Sequence, residues 1–212
     1  LFARGLELAS EFPTTEVCLL VSKATRNVCS GEILQTLRYK KSIHNREDYL
    51  KTLKLKTAEL FALSCELGGM IGGLDRNAQK QLRQFGVSMG IAYQIYDDCL
   101  DIFGNEAQVG KSLGTDLATG KLTLPVLLML EKVPEPEKNE IISKLFQGNG
   151  GQMRWLMDLL KQSKALEECV DVIQGYVDQS NATLSELSSD GHCIALKKVL
   201  AYLTQQVSLL TY

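Results

Sequence analysis

The chain has 212 residues, enough for one substantial domain with a hydrophobic core. Its 23 basic and 25 acidic residues leave a formal net charge of −2, which argues against general attraction to nucleic acid or to an anionic membrane surface. The composition is 45% hydrophobic and 23% charged, and no apolar run is long enough to cross a bilayer. We therefore predict one domain over residues 1–212, without nucleic-acid binding and without a transmembrane segment.

Hydrophobic residues recur at helical spacing almost throughout, so the sequence predicts an all-α protein. The first predicted helices cover about 1–11, 15–39 and 46–71, and Asn45 is the predicted N-cap of the third. Asp75 is predicted to cap the fourth helix, over about 76–103, which ends at Gly104. After the irregular segment 104–124, the predicted helices cover about 125–132, 137–147, 151–162, 164–188 and 191–209.

Six cysteines are scattered along the chain, and they form neither a CxxC pair nor a Cys/His cluster with zinc spacing. We interpret them as small apolar side chains in a reducing compartment, so we expect a cytoplasmic protein. The chain begins at Leu1, within a stretch, "LFARGLELA", that has the pattern of a helix without a start signal. We therefore expect the sequence to be incomplete at its N-terminus.

The string "YQIYDDCLDIFG", residues 93–104, places three aspartates in the last turns of the fourth predicted helix. Asp97 and Asp101 are one turn apart and repel each other, and the helix macrodipole disfavours negative charge at this end. Apolar neighbours such as Ile95 and Leu100 suggest that much of the helix is buried, where an uncompensated charge is costly. Two explanations remain open: a solvated acidic face, or a binding site for a hard divalent cation.

The surrounding residues favour the cation site. Gln94 lies on the same helical stripe as the aspartates, and the glycine-rich segment beyond the helix carries Lys111 and Lys121. Carboxylates can hold a magnesium ion that bridges phosphate oxygens, while ammonium groups neutralise the remaining charge. The aspartates have no histidine nearby, which favours magnesium over zinc, and the missing GxxxxGK[ST] spacing argues against ATP.

The longer string "YQIYDDCLDIFGNEAQVGKSLGTDLATGKLTLPVL" resembles the second aspartate-rich region of the trans-isoprenyl diphosphate synthases, the polyprenyl synthetase family, with its pattern FQxxDDxxD…GKxxGxDLxxGKxTLP. The strings "GEILQ" at 31–35 and "LKTAELF" at 55–61 resemble two earlier helices of that family, in the expected order. The resemblance covers residues 1–130. The later predicted helices resemble those of the family only in their general character. It implies an all-α, isoprenoid-synthase-type helical bundle around a central cavity, usually a homodimer.

The resemblance also implies an activity: a prenyltransferase that condenses isopentenyl diphosphate with an allylic diphosphate to give a linear all-trans prenyl diphosphate. In such enzymes magnesium assists the departure of diphosphate, the allylic cation attacks the isopentenyl double bond, and a proton is lost. By position, three residues resemble the metal ligands: Asp97, Asp98 and Asp101. Three lysines resemble those that hold the allylic diphosphate: Lys56, Lys111 and Lys121. The implied catalytic residues are Lys56, with Thr57 and Gln94 as the polar pair beside the nascent carbocation.

The chain departs from the family pattern because it carries no first DDxxD motif upstream of "LFARGLELA". As given, the chain is therefore expected to be inactive without that portion, since family members build their isopentenyl diphosphate site in part from it. The alternative hypothesis is a non-catalytic partner subunit of a heteromeric prenyl diphosphate synthase. A class I terpene cyclase is disfavoured because no NSE-type motif is present. Small residues at Ala3 and Gly5 favour a medium or long product, whereas bulky Phe2 and Leu6 favour a shorter one.

Overall fold

The structure is a computed structural model that describes residues 2–41, 45–104, 106, 110, 112–146, 152–187 and 193–212. Within these ranges every regular element is a helix, so the all-α prediction is confirmed. The elements are α1 (Phe2–Ser10), α2 (Thr15–Lys41), α3 (Arg46–Leu53), a π-helical segment (Lys54–Ala58), α4 (Glu59–Ile71), α5 (Arg76–Phe103), α6 (Thr115–Ala118), α7 (Leu124–Glu131), α8 (Glu135–Phe146), α9 (Gln152–Gln162), α10 (Ala165–Leu187) and α11 (Ile194–Val207). No helix in the described ranges has both the length and the apolar character needed to span a bilayer.

The predicted helix caps are confirmed. The Asn45 side chain accepts a hydrogen bond of 2.8 Å from the backbone N–H of Asp48 at the start of α3. Asp75 accepts bonds of 2.8 and 2.9 Å from two N–H groups in the first turn of α5. These groups have no partner inside their own helix, so a short polar side chain in front of the helix stabilises its first turn. The α5 helix ends before Gly104, as expected.

The helical run predicted over about 46–71 has these bounds in the structure, but it contains an interruption that the hydrophobic pattern does not reveal. The α3 helix passes into the π-helical segment, and this segment passes into α4. A π-helical turn takes in an extra residue and changes the direction in which the following side chains point. Because Lys56 and Thr57 lie within this segment, the interruption bears directly on the candidate site.

The α5 helix lies at the centre of the bundle, with α4 packed along one side and α10 along another. The contacts with α4 and with the π-helical segment before it are close because α5 carries Gly86 and Gly90 one turn apart. A Cβ atom at Gly86 would lie 2.6 Å from the Cα of Ala62, and one at Gly90 would lie 2.6 Å from the Cα of Ala58. Only glycine allows this approach. It brings Gln94, one turn further along α5, against the π-helical segment.

The α7 helix is buried on all sides, since every residue from 124 to 130 is buried. A helix that is apolar all round belongs in the core of a bundle, and α7 packs against α3 and α10. Pro125 fits its first turn because the N–H that proline lacks would have no partner there. The start of α7 thus fixes one end of the polar segment that follows α5.

Candidate functional site

A cavity of about 220 Å³ opens between α3, the π-helical segment, α5 and the residues that lead into α7. Six of the eight predicted site residues line it: Lys56, Thr57, Gln94, Asp97, Asp98 and Lys121. Apolar side chains complete the wall: Leu53, Leu122 and Leu127. Of the other two predicted residues, Lys111 lies outside the described residues, and the Asp101 side chain does not line the cavity.

Lys56 is held at the rim of the cavity by α2. Its Nζ atom lies 2.5 Å from a carboxylate oxygen of Glu32 and donates a hydrogen bond of 3.3 Å to Gln35. The two helical segments approach closely at Gly31, where a Cβ atom would lie 3.0 Å from the backbone N of Lys56. The Glu32 side chain is 55% exposed, and such ion pairs contribute about 1 kcal/mol or less. The Lys56 ammonium can therefore exchange this partner for an anionic ligand at little cost.

Thr57 and Gln94 form the pair that the sequence predicts. The Thr57 hydroxyl donates a hydrogen bond of 2.8 Å to the Gln94 side-chain oxygen. The π-helical turn supplies Thr57, and the close contact between α5 and this segment at Gly90 brings Gln94 within reach. Because a hydroxyl has one hydrogen, the remaining lone pairs of the Thr57 oxygen are available to the cavity that this residue lines.

Asp98 is the buried acid of the site, with 4% of its surface exposed. One carboxylate oxygen accepts a hydrogen bond of 2.6 Å from the Tyr49 hydroxyl, and the other accepts one of 2.9 Å from the Gln94 amide nitrogen. Burial raises the pKa of Asp98 to about 7, although both hydrogen bonds act in the opposite direction. Burial, together with the negative charge of Asp98, also raises the pKa of Tyr49 well above its ordinary value, so the phenol keeps its proton and donates.

Asp101 is turned away from the cavity and holds the segment after α5. One of its oxygens accepts bonds of 3.2 and 3.1 Å from the backbone N–H and the hydroxyl of Thr115, and the other accepts one of 3.1 Å from the backbone N–H of Asp116. The Gly114 N–H donates a bond of 2.8 Å to the Asp101 carbonyl. Although Asp97 and Asp101 share a helical stripe, the structure does not bring both carboxylates into the cavity.

The anchored segment places Lys121 at the cavity. Its Nζ atom lies 2.6 Å from a carboxylate oxygen of Asp116, and its backbone N–H bonds to the Asp116 carbonyl at 2.8 Å. Partial burial lowers the pKa of Lys121, but the hydrogen bond and charge of Asp116 outweigh it, so the pKa lies above its ordinary value. Lys121 is therefore a second cation on the cavity wall, in addition to Lys56.

The carboxylates that line the cavity fit a magnesium ion. Within the described ranges, no three acidic, histidine or cysteine side chains converge on one point as a preformed metal site. Magnesium needs no such cage, because it commonly binds through one or two carboxylates together with waters and substrate phosphates. The half-buried Asp97 and the neighbouring Asp98 provide oxygen donors of this kind on the cavity wall.

Two further residues of the site, Tyr49 and Asp116, are not predicted by the sequence analysis. Asp116 carries a signal, because it is the aspartate of "GTDL" in the quoted glycine-rich string. Tyr49 lies in α3, seven residues before Lys56, among charged residues that give no indication of burial. Tyr49 contacts Asp98, which lies 49 positions later in the chain, so the pair becomes visible only in the folded structure.

Comparison with known proteins agrees with this architecture. The polyprenyl synthetase family model matches residues 1–172. Heptaprenyl diphosphate synthase component 2 of Bacillus subtilis is 32% identical over 187 residues, which cover 88% of this chain and 53% of that protein. The protein of the same name from Geobacillus stearothermophilus is 34% identical over 180 residues, covering 85% and 56% respectively. The chain thus spans about half the length of these curated relatives.

Solved structures show the same arrangement of helices. The decaprenyl diphosphate synthase of Rhodobacter capsulatus superposes with a TM-score of 0.87 at 28% identity, over 97% of this chain and 64% of that one. A polyprenyl synthase of Caulobacter crescentus, solved with calcium and isoprenyl diphosphate, superposes with a TM-score of 0.86 at 30% identity, over 99% and 64%. The fold is therefore the all-α isoprenoid synthase fold, and the chain belongs to the polyprenyl synthetase family.

Proposed function

We propose that the protein is a magnesium-dependent prenyltransferase that condenses isopentenyl diphosphate with an allylic diphosphate to a linear all-trans prenyl diphosphate. One observation supports this most strongly: the cavity brings two lysines, a Thr–Gln pair and two aspartates together from α5, the π-helical segment and the segment before α7. Leaving-group stabilisation requires such a combination of cationic groups and metal-binding oxygens. The names of the relatives, which are prenyl diphosphate synthases, agree with it.

Each side chain has a part in this proposal. Lys56 and Lys121 bind the diphosphate, and their charge stabilises the negative charge that develops as the allylic C–O bond breaks. The oxygens of Thr57 and Gln94 face the allylic carbon as it becomes cationic. The apolar wall, including Leu53 and Leu127, contacts the prenyl chain and excludes water that would capture the cation.

Asp97 and Asp98 would hold magnesium in this cavity. When bound, the metal supplies neutralisation of charge on the leaving diphosphate. Asp101 is assigned a supporting part, since its contacts hold the segment that carries Lys121.

The second candidate is a non-catalytic partner subunit of a heteromeric synthase. The observation in its favour is that two relatives are named as component 2 of a synthase. The retained Lys56, Gln94 and Asp97 favour catalysis, since a purely structural subunit does not need these residues around one cavity. A homodimer is also part of our proposal, and it is supported by apolar side chains exposed on α2 and α4: Leu19, Ile33, Leu37, Leu60 and Ile71.

The proposal is tested by assaying the full-length protein with isopentenyl diphosphate and geranyl or farnesyl diphosphate, with and without magnesium. We expect longer all-trans prenyl diphosphates, separable by chromatography, only when magnesium is present. Absence of product with every allylic substrate would overturn the enzyme proposal. If the coding sequence continues upstream of Leu1 and contains a DDxxD motif, the partner-only alternative is contradicted.

A further inference from the structure

The predicted pair Thr57–Gln94 belongs to a longer chain of hydrogen bonds. Tyr49 donates to one oxygen of Asp98 at 2.6 Å, and Gln94 donates to the other at 2.9 Å. Gln94 in turn accepts from Thr57 at 2.8 Å. All four side chains line the same cavity, and they come from three different elements: α3, the π-helical segment and α5.

The direction of these bonds matters because the Gln94 amide has two nearly equivalent orientations. Its oxygen and its NH₂ group have similar size, so packing alone does not choose between them. In its ionised form, the form that would hold a metal ion, the Asp98 carboxylate only accepts hydrogen bonds, so it requires the NH₂ group of Gln94 to face it. The Gln94 oxygen must then face Thr57, and the Thr57 hydrogen is directed at Gln94. In the opposite orientation the NH₂ group would present positive charge to the reaction centre.

Asp98 can impose this order only while its own carboxylate is fixed. Tyr49 supplies the second contact, a short bond from a phenol on α3, which is a separate helix. Without it, the Asp98 carboxylate would keep only one of its two side-chain hydrogen bonds and would be held less firmly in the orientation that Gln94 requires. The Tyr49 phenol therefore controls the orientation of the Gln94 amide, which contacts the other oxygen of Asp98.

We propose that Tyr49 is a positioning residue: acting through Asp98, it fixes the Gln94 amide so that the oxygens of Gln94 and Thr57 face the cationic centre of the reaction. This inference rests on the proposed function. It assigns a role to a residue that does not bind the diphosphate and that the sequence analysis does not identify. Because the effect passes along one chain of contacts, removing the phenol hydroxyl and removing the Gln94 amide must disturb the same interaction.

The first test is kinetic and uses the full-length protein. Tyr49→Phe removes only the hydroxyl, and the matched control Tyr202→Phe removes one from a side chain that is 64% exposed. We expect Tyr49→Phe to lower kcat about tenfold or more with little change in KM, since small misplacements of catalytic groups have effects of this size. In a Gln94→Ala background the same change should lower kcat less than about twofold. Equal effects in both backgrounds would overturn the inference.

The second test measures binding and needs no turnover. An unreactive thio-analogue of the allylic diphosphate is compared with an analogue that carries an ammonium group in place of the cationic carbon, both with magnesium. We expect Tyr49→Phe to weaken only the ammonium analogue, about tenfold, with unchanged circular dichroism and an unchanged magnesium requirement. Equal weakening of both analogues would indicate a merely structural role, and a changed magnesium requirement would place the effect at the metal. Either result overturns the inference. Failure of the unaltered protein to bind either analogue would instead overturn the proposed function, and this inference with it.

Discussion

At the scale of single residues, the three aspartates of "DDCLD" occupy three different environments. Asp97 is half-buried on the cavity wall, Asp98 is buried between Tyr49 and Gln94, and Asp101 is buried beneath the segment that contains Thr115. One motif thus provides a carboxylate on the cavity wall, a buried carboxylate bonded to two side chains, and a carboxylate bonded to the segment after α5. Substitutions at the three positions should have different consequences.

Asp97→Ala should lower turnover by about two orders of magnitude or more with the fold unchanged, because it removes the metal-binding oxygens that face the cavity. The measurement is kcat of the full-length protein, with circular dichroism as the check on folding. Asp171→Ala is the matched control, since Asp171 is exposed on α10. Activity close to normal in Asp97→Ala would contradict the metal-ligand assignment.

The raised pKa of Asp98 gives the metal-free protein a pH-dependent stability. Between the unfolded value of about 4 and the folded value of about 7, the folded chain binds a proton that the unfolded chain releases. The contribution of Asp98 is therefore fully present below about pH 4 and is lost as the pH rises through 7. Asp98→Asn should remove it.

Urea unfolding at pH 5 and pH 8, without magnesium, measures this effect. The free energy of unfolding of the unaltered protein, relative to Asp98→Asn, should be smaller at pH 8 by about 1–3 kcal/mol. A difference between the two proteins that does not change with pH would show that Asp98 is ionised throughout.

At the scale of elements, the site depends on how closely α5 and the π-helical segment approach each other. Gly90 permits that approach and lies one turn before Gln94. At the other end of the site, Asp101 holds the segment that contains Lys121 against α5, because its carboxylate accepts hydrogen bonds from Thr115 and Asp116. Both features can be tested without touching the residues that are proposed to contact substrate.

Gly90→Ala should destabilise the protein by about 1–3 kcal/mol, because the added Cβ would lie 2.6 Å from the Cα of Ala58 and would force α5 and the π-helical segment apart. It should also lower kcat, since the Thr57–Gln94 bond lengthens. The control is Gly175→Ala, where nothing lies within 4 Å of the added Cβ and a helical alanine should be neutral or stabilising. The free energies of unfolding of both variants are measured by chemical denaturation. Equal values would contradict the claim that Gly90 permits a close helix contact.

Asp101→Ala should raise the KM for the allylic diphosphate about tenfold and change kcat less, because the lysine-bearing segment loses its anchor while the metal-binding wall stays intact. Proteolysis between α5 and α7 should become faster in the same variant. A loss of kcat as large as that in Asp97→Ala, with unchanged proteolysis, would show that Asp101 acts as a metal ligand instead.

At the scale of the whole molecule, helix caps and helix bounds could be predicted from neighbouring residues, whereas contacts between residues that are distant in the chain could not. The caps at Asn45 and Asp75 could be predicted because a cap depends on a few adjacent residues. The π-helical segment could not, since the apolar spacing continues through it. Helical periodicity put Asp97 and Asp101 on one stripe, but the chain folds back over Asp101 and takes it out of the cavity. The part played by Tyr49 depends on packing between α3 and α5.

The resemblance to family motifs selected residues that are distant in the chain, and six of the eight line one cavity in the structure. It correctly indicated the family and the fold, which the family match and the structural superpositions then showed. Magnesium, the homodimer and a cytoplasmic location stay predictions, as do the roles of the site residues.

The central claim is that this cavity binds an allylic diphosphate together with magnesium. The most direct measurement is calorimetric titration of the full-length protein with an unreactive thio-analogue of farnesyl diphosphate, with and without magnesium, for the unaltered protein and for Lys121→Ala. We expect saturable binding that requires magnesium and weakens about tenfold or more in Lys121→Ala. Binding of equal strength without magnesium, or binding indifferent to the loss of Lys121, would contradict the claim.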